Sequence, residues 1–161
     1  MIRPVALTDE QRKKAPDDMK MAVMAGEKEK YFAIIISTDD CTGCTLCSDI
    51  CPGNIKNNVL KMNGIDKAGY QKKCYEYAME NNDNKNMHGH FERGTVKGSQ
   101  FFLPLLEFSG ACSGGGETAY AKLVTQLFGE RMTIANATGC SSIWAASLPS
   151  SAYTVNQDKK G

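Results

Sequence analysis

The sequence contains no feature that would direct a protein into a membrane or out of the cell. Its longest apolar runs, such as Tyr31–Ile36, are far too short to cross a bilayer. The N-terminal stretch MIRPVALTDEQRKK lacks the apolar centre of a signal peptide. We therefore expect a cytoplasmic protein whose seven cysteines stay reduced and are mostly committed to metal.

The sequence also lacks an excess of either charge. Nineteen basic and eighteen acidic residues leave a net charge of +1, and acidic residues interrupt every lysine-rich patch. The absence of a basic stripe argues against nucleic acid as a partner. With 161 residues, 42% of them hydrophobic, and a single Trp, the chain is large enough for one ordinary domain or two small ones.

A cysteine-rich run, CTGCTLCSDICP, is the strongest motif in the chain. Cys41, Cys44 and Cys47 recur every third residue, and Cys51 stands directly before Pro52. This is the C-x2-C-x2-C-x3-C-P pattern of bacterial-type ferredoxins, which hold [4Fe–4S] clusters. Three thiolates on a short loop can surround one cluster, while the fourth cysteine starts a helix that points toward a second cluster. Zinc is a weaker interpretation, because four-cysteine zinc sites usually pair two C-x2-C knuckles across a longer stretch.

The residues on both sides of this motif predict a small mixed structure. Thr8 and Gln11 are spaced as an N-terminal capping box. Tyr31–Ser37 is rich in β-branched residues and predicts a strand, and Val59–Met62 predicts a short returning strand. Between the capping box and the strand predicted over Tyr31–Ser37, a charged stretch containing several methionines is either a short helix or a solvated connector. Together these elements look like half of a ferredoxin-type fold.

The middle of the chain predicts one helix followed by a polar loop. Ala68–Glu80 has helix-forming composition and places Cys74 on its apolar face. Cys74 is either a cluster ligand or a packed helix residue, and we favour packing because no proline follows it and no cysteine is paired with it. The Asn-rich stretch Asn81–Gly94 carries His88 and His90, which we expect to be exposed to solvent rather than bound to metal.

The last third of the sequence alternates loop, helix and strand patterns. Four glycines within residues 110–116 predict a loop that approaches a ligand closely, although it matches neither a P-loop nor G-x-G-x-x-G. Apolar residues from Tyr120 to Phe128 recur with helical spacing, and Gly129 is placed to end that helix. Arg131–Ala135 predicts a strand, followed by a ligand-bearing turn over Asn136–Trp144. This order is typical of α/β proteins.

Long matches then identify a family resemblance. GETAY, LVTQLFGERM and IANATGCSSIW, within the last third, resemble the thiamine-diphosphate-binding domain of pyruvate:ferredoxin (flavodoxin) oxidoreductase. FAIIISTDDCTGCTLCSDICP resembles the inserted ferredoxin domain of the same family, and IRPVALTDE resembles the segment that follows the family's first cluster motif. The resemblance implies a partial α+β ferredoxin-like domain over residues 1–67, a helix and polar linker over 68–97, and the start of an α/β thiamine-diphosphate-binding domain over 98–161.

The resemblance also implies roles for individual residues. Cys41, Cys44 and Cys47 would hold one [4Fe–4S] cluster, and Cys51 would serve another. Cys112 and Cys140 would be ligands of a third cluster near thiamine diphosphate. The cofactor itself would be contacted by Glu117, Thr138, Gly139, Cys140 and Ser141. From the residues alone, Glu117 is equally well explained as an acidic residue that complements a helix dipole.

Three departures from the family pattern limit these expectations. Gly115 occupies a position where the family has a cysteine, and glycine cannot ligate iron. A first C-x2-C-x2-C-x3-C-P motif is absent, and no Gly-Asp-Gly motif for Mg²⁺ and diphosphate occurs in the chain. We therefore expect an internal fragment that does not catalyse alone, with exposed apolar edges and Mg²⁺ ligands elsewhere in its parent.

The parent enzyme implied by the resemblance decarboxylates pyruvate oxidatively and transfers the acetyl group to coenzyme A. Its electrons pass to ferredoxin or flavodoxin, and the full-length enzyme is expected to be a homodimer. Two alternatives remain open at this point: a free-standing [4Fe–4S] electron carrier, and a decayed paralogue that has lost its chemistry.

Overall fold

The chain folds into two compact units, Met1–Asn84 and Lys85–Gly161. The computed structural model describes residues 2–27, 29–82, 87–145, 151–156 and 158–161. The cysteine-rich run lies in the first unit, and the glycine-rich loop lies in the second.

A three-stranded antiparallel sheet forms the base of the first unit. Its strands are β1 (Ile2–Thr8), β2 (Ala22–Val23) and β3 (Lys30–Ile36), in the order β1-β3-β2. β1 and β3 pair along their whole length, from Ile2 opposite Ile36 to Thr8 opposite Lys30. The strand predicted over Tyr31–Ser37 is confirmed, shifted by one residue. β1 was not predicted from the sequence, although Val5 and Leu7 are completely buried on it.

Helix α1 (Asp9–Lys14) follows β1 without a loop because Thr8 ends the strand and caps the helix. The Thr8 hydroxyl accepts a hydrogen bond from the Gln11 backbone N–H, and the Gln11 side chain accepts one from the Thr8 N–H. The predicted capping box is therefore confirmed. The methionine-containing stretch after α1 is not helical: it carries β2, and it buries Met19 and Met24.

Helix α4 (Gly69–Asn81) covers the sheet and confirms the helix predicted over Ala68–Glu80. Its Tyr77 hydroxyl donates a 2.7 Å hydrogen bond to the Gln11 carbonyl, which ties the helix to α1. Cys74 is only 2% exposed, which confirms the packing interpretation. The core between sheet and helix consists of Val5, Leu7, Met19, Ala33, Ile35, Cys74 and Ala78. The first unit is thus a small α+β structure, as expected for the ferredoxin-like part.

The strand predicted over Val59–Met62 is wrong. No residue of this stretch pairs with a strand, and Val59 and Met62 are exposed. The physical reason lies in a side chain: the Asn54 amide binds both the N–H and the carbonyl of Leu60, the groups a neighbouring strand would have used.

The described residues of the second unit form three helices: α5 (Val96–Ser99), α6 (Glu117–Phe128) and α7 (Cys140–Ala145). Short 3-10 turns lie at Gly89–Phe91 and Gly129–Arg131. An isolated bridge joins Leu106 to Tyr153. Leu106 packs with Trp144, Ala145 and Ala152 in a small apolar core.

Helix α6 confirms the predicted helix but not its predicted buried face. Tyr120 is 73% exposed and Phe128 is 51% exposed, whereas the polar Thr125 and Gln126 are buried. These two residues bind loop backbone, since the Leu105 N–H donates to the Thr125 hydroxyl and the Gln126 amide donates to the Phe102 carbonyl. Polar side chains face inward because the segment packed on them, residues 102–105, is not a strand and its backbone groups need partners.

Gly129 ends α6 as predicted, although its φ of −48° is ordinary helical backbone. A Cβ on Gly129 would come within 2.8 Å of Leu105 Cδ1, so close packing explains the glycine here. The strand predicted over Arg131–Ala135 is wrong, because Arg131 closes the 3-10 turn and the following residues are irregular and mostly exposed. Among the described helices, none is both long enough and apolar enough to cross a membrane.

Candidate functional site

Two polar contacts, one after the end of β3 and one with α4, hold the residues that lead into the cysteine run. The Ser37 hydroxyl donates a 2.6 Å hydrogen bond to the Asp40 carboxylate, immediately before Cys41. Lys72 of α4 forms an ion pair with Asp39, with 2.7 Å between Nζ and Oδ2. Both partners of the ion pair are exposed, and the Asp39 carboxylate raises the pKa of Lys72 mainly by accepting its hydrogen bond.

The run turns sharply between its first and third cysteines. Gly43 has a φ of +70°, and Thr45 has a φ of +63°, which a β-branched residue rarely adopts. Thr45 precedes the one-turn helix α2 (Leu46–Asp49), and its hydroxyl donates a 2.6 Å hydrogen bond to Asp49. A left-handed threonine costs on the order of 1–3 kcal/mol, and such strain clusters at ligand-binding loops. Local strain therefore marks the segment that the motif assigns to iron.

Cys51 begins the next helix, as the motif predicts. It is the N-cap of α3 (Pro52–Asn57), and Pro52 occupies the first helical position, where its missing N–H costs nothing. Gly53 lies close to two neighbours: a Cβ on it would come within 3.0 Å of Val59 Cγ2 and 3.6 Å of Cys51 Sγ. The glycine therefore leaves room for the chain to return beside Cys51.

The four thiols have the chemistry that an iron–sulfur cluster requires, but their placement does not yet suit one. All four are free cysteines: Cys41 and Cys44 are exposed, and Cys47 and Cys51 are half-buried. However, within the described ranges no three Cys, His, Asp or Glu side chains converge well enough to hold a metal ion. The donor set is the one that clusters require, and the loop would have to close to bring it together.

The glycine-rich loop of the second unit carries Cys112. Gly114 has a φ of +84°, and the Gly115 N–H donates a 2.9 Å hydrogen bond to the Cys112 carbonyl, closing a tight turn. Cys112 and Gly115 are both exposed. A Cβ on Gly115 would lie 2.9 Å from the Ala111 Cβ, a separation that real Cβ atoms essentially never show. This backbone therefore accommodates glycine at position 115, whereas a cysteine there would require Ala111 to shift.

Cys140 is the first residue of α7 and is exposed. The glycine-rich loop approaches this helix closely, since a Cβ on Gly110 would come within 3.1 Å of both the Cβ and the carbonyl oxygen of Trp144. Before α7, the Gly139 N–H and carbonyl both bind the Ser142 hydroxyl, at 3.0 and 2.8 Å. The loop that carries Cys112 thus packs against α7, the helix that begins at Cys140, and Thr138 and Gly139 are exposed before that helix.

Glu117 is the exposed first residue of α6, the position where a carboxylate complements the helix dipole. Its charge also reaches Tyr153: burial, and to a smaller extent Glu117, raise the pKa of the Tyr153 hydroxyl. Tyr153 packs against Trp144, with ring centroids 6.2 Å apart. Thr118, next to Glu117, shares a 2.7 Å hydrogen bond with Ser109.

The remaining predicted positions are also accounted for. His88 and His90 are exposed, as expected. Sequence reasoning missed Asn54 and Tyr153, because neither belongs to a spacing pattern that signals a site. Asn54 lies three residues after Cys51, but an asparagine there carries no signal until its hydrogen-bond partners are known.

Comparison with known proteins tests the family resemblance. A model of the 4Fe-4S binding domain matches residues 34–56, which contain all four cysteines of the run. The chain is 48% identical to the pyruvate-flavodoxin oxidoreductase of Enterobacter agglomerans and 49% identical to that of Klebsiella pneumoniae, each over 99% of this chain. The resemblance to the pyruvate oxidoreductase family is confirmed.

The match covers only a small part of these relatives. The chain spans about 13% of the length of the two pyruvate-flavodoxin oxidoreductases. It is also 52% identical, over 81% of its length, to 11% of the pyruvate:ferredoxin oxidoreductase of Moorella thermoacetica. The chain therefore aligns with one segment of these much longer pyruvate-flavodoxin oxidoreductases.

Proposed function

We propose that this chain is the part of a pyruvate:ferredoxin or flavodoxin oxidoreductase that carries electrons away from a thiamine diphosphate site. The observation that carries the proposal is the 48% identity to a pyruvate-flavodoxin oxidoreductase, which extends over 99% of this chain. The 4Fe-4S match, which includes Cys41–Cys51, supports it. When bound, the clusters would carry single electrons, and thiamine diphosphate would be the electron sink for decarboxylation of a 2-oxoacid.

Within this proposal, Cys41, Cys44 and Cys47 hold one [4Fe–4S] cluster and Cys51 serves a second. Cys112 and Cys140 are ligands of a third, for which Gly115 supplies no thiolate. The contact of Gly110 with Trp144 supports that pairing, since it joins the two segments that carry the cysteines.

The proposed thiamine diphosphate contacts are Glu117 and residues 138–141, which run from the turn before α7 into the first two residues of that helix. Ser141 is half-buried, and the exposure of Glu117, Thr138, Gly139 and Cys140 supports a role in binding, because these groups are accessible rather than buried in the core. The α/β thiamine-binding fold, its start near residue 98, and the Mg²⁺ ligands outside this chain are parts of the same proposal. So is the boundary of the ferredoxin-type part near residue 67.

The proposal includes the rest of the parent polypeptide as the immediate partner of the cysteine run. Six large apolar side chains around the run are 47–83% exposed: Leu46, Ile50, Ile55, Val59, Met62 and Ile65. An apolar concentration of this kind marks a surface that other protein covers. Further partners would be pyruvate, coenzyme A, ferredoxin or flavodoxin, and a second copy of the enzyme, in the cytoplasm.

Anaerobic reconstitution of the 161-residue chain with ferrous iron and sulfide tests the iron assignment. We expect visible absorption and iron binding that are lost in Cys41→Ser and Cys44→Ser but kept in Cys74→Ser, since Cys74 is buried in the core. A labile or substoichiometric cluster supports the segment of a larger enzyme, whereas a stable four-iron cluster with reversible one-electron reduction supports a free-standing carrier. Equal iron binding by the wild type and Cys41→Ser would refute the assignment.

A further inference from the structure

The side chain of Asn54 engages both of its donor hydrogens and its carbonyl oxygen beside the cysteine run. Its Nδ2 donates to the Ser48 carbonyl and to the Leu60 carbonyl, both at 2.8 Å. Its Oδ1 accepts a 2.6 Å hydrogen bond from the Leu60 N–H. A primary amide has two donor hydrogens, and both are engaged here.

These three bonds connect three successive segments of the chain: α2, α3 and the chain that returns after α3. Ser48 directly follows Cys47, the third cysteine of the run, and lies in α2. Asn54 lies in the first turn of α3, whose N-cap is Cys51. Leu60 belongs to the returning chain, which lies close to Cys51 through the contact of Gly53 with Val59. The amide therefore fixes the segment after Cys47 relative to the helix that begins at Cys51.

The hydrogen bonds of Asn54 matter for the placement of α2 and α3 because these helices have little buried structure. The run is exposed, none of its helices has more than six residues, and no buried side chain lies in α2 or α3. Without a core beneath them, the short helices depend on hydrogen bonds for their relative placement. A single neutral hydrogen bond contributes modestly to stability, but three on one rigid amide act together.

We propose that Asn54 is a positioning residue for the iron–sulfur site, fixing the backbone after Cys47 to the helix that begins at Cys51 while the rest of the loop closes on a cluster. The proposal rests on the proposed function, because it assigns Asn54 to a cluster held by these cysteines. Asn54 does not touch iron. It acts through the backbone, in the way that residues surrounding a metal site orient the ligands, and loss of such a residue commonly costs 10–100-fold in affinity.

The test compares Asn54→Asp with Asn57→Asp in the 161-residue chain. Both substitutions add one negative charge to α3, but Asn57 is an exposed residue at the end of that helix. The Asn54→Asp variant keeps an acceptor for the Leu60 N–H, loses both donors and places a carboxylate against two carbonyl oxygens. After reconstitution with ferrous iron and sulfide, the rate of iron loss to a chelator and the midpoint potential are measured.

We expect iron loss about tenfold or more faster in Asn54→Asp, with Asn57→Asp like the wild type. Equal rates and potentials in Asn54→Asp and Asn57→Asp would overturn the proposal. If far-UV circular dichroism shows that the Asn54→Asp apo-chain is unfolded, Asn54→Gln decides, because it retains the amide on a longer stem. Faster iron loss from a folded Asn54→Gln variant supports positioning, and an unchanged rate refutes it.

Hydrogen exchange of the wild-type apo-chain separates failure of this inference from failure of the proposed function. Protection of the Leu60 amide supports the Asn54 contact even when the wild type binds no more iron than Cys41→Ser, which would refute only the function. An unprotected Leu60 amide refutes the positioning role, whatever the iron content.

Discussion

Gly110 lies directly against Trp144, and this contact joins the glycine-rich loop to the helix that begins at Cys140. An added Cβ at Gly110 would be 3.1 Å from both the Cβ and the carbonyl oxygen of Trp144. Neither atom can move without shifting the α7 backbone. The one tryptophan of the chain therefore reports on the packing between two segments that sequence reasoning assigned to the same cofactor site.

Gly110→Ala should destabilise the second unit. The added methyl group must displace helix backbone, and overpacking of this kind typically costs about 1–3 kcal/mol. Denaturant unfolding followed by Trp144 fluorescence measures the change, since this tryptophan lies in the second unit. Gly116→Ala is the matched control, because a Cβ there meets nothing within 4 Å. Equal unfolding midpoints for the two variants would contradict the contact.

Gly115→Cys, which introduces the cysteine that the family resemblance implies at this position, should also destabilise the second unit. Its Cβ would lie 2.9 Å from the Ala111 Cβ and 3.1 Å from the Cys112 carbonyl oxygen. The expected cost is about 1–3 kcal/mol, measured by Trp144 fluorescence during denaturant unfolding. The neighbouring Ala111 is expected to determine whether the thiol can be accommodated.

Ala111→Gly removes the nearer obstacle, so the double variant Ala111→Gly/Gly115→Cys should lose less stability than the sum of the two single changes. Residues in contact show such non-additivity, commonly about 0.5–3 kcal/mol. Strict additivity would show that Ala111 does not limit position 115. If the second-unit cysteines bind iron as proposed, the double variant should also bind more of it than the wild type.

Cys74 should be the slowest of the seven cysteines to react with a maleimide in the folded chain. It is 2% exposed, and burial, with a smaller contribution from Asp18, raises the pKa of its thiol. Both effects lower the reactivity, because the thiolate is the nucleophile. Mass spectrometry at pH 8 should show six labels added quickly and a seventh slowly, whereas Cys74→Ser should show only the six.

The same pKa shift predicts a loss of stability at alkaline pH. Above about pH 8.5, the ordinary thiol value, the unfolded chain releases the Cys74 proton while the folded chain retains it. The free energy of unfolding therefore falls as pH rises from there toward the raised folded value. Urea unfolding at pH 7 and 9.5 should show a smaller fall in Cys74→Ser, and an identical fall would contradict the shift.

Local patterns predicted the elements whose causes are local. The Thr8 capping box, the β-branched strand over residues 31–37 and the helix over 68–80 each depend on neighbouring residues, so their sequences were sufficient. The same holds for Cys51 at a helix start, because a proline in the next position favours the first turn of a helix. The cysteine spacing likewise pointed to iron without any knowledge of the fold.

The failed predictions concern residues whose partners lie elsewhere in the chain. Val59–Met62 has strand-forming residues, but the Asn54 amide binds the backbone of Leu60 in place of a neighbouring strand. The apolar side of α6 was predicted to be buried, yet Thr125 and Gln126 face inward because they satisfy backbone groups of residues 102–105. No sequence pattern in Val59–Met62 or in α6 indicates those hydrogen-bond partners.

The sequence by itself determined the chemical character of this protein: a cysteine spacing suited to iron and a near-continuous likeness to one enzyme family. Only the tertiary structure decided which groups meet, such as Gly110 with Trp144, Gly115 with Ala111, and Asn54 with Ser48 and Leu60. Ligand type follows from residue identity, whereas contact follows from the path of the whole chain. The cysteine run therefore identifies the chemistry, and the contacts around it determine how its thiols are held.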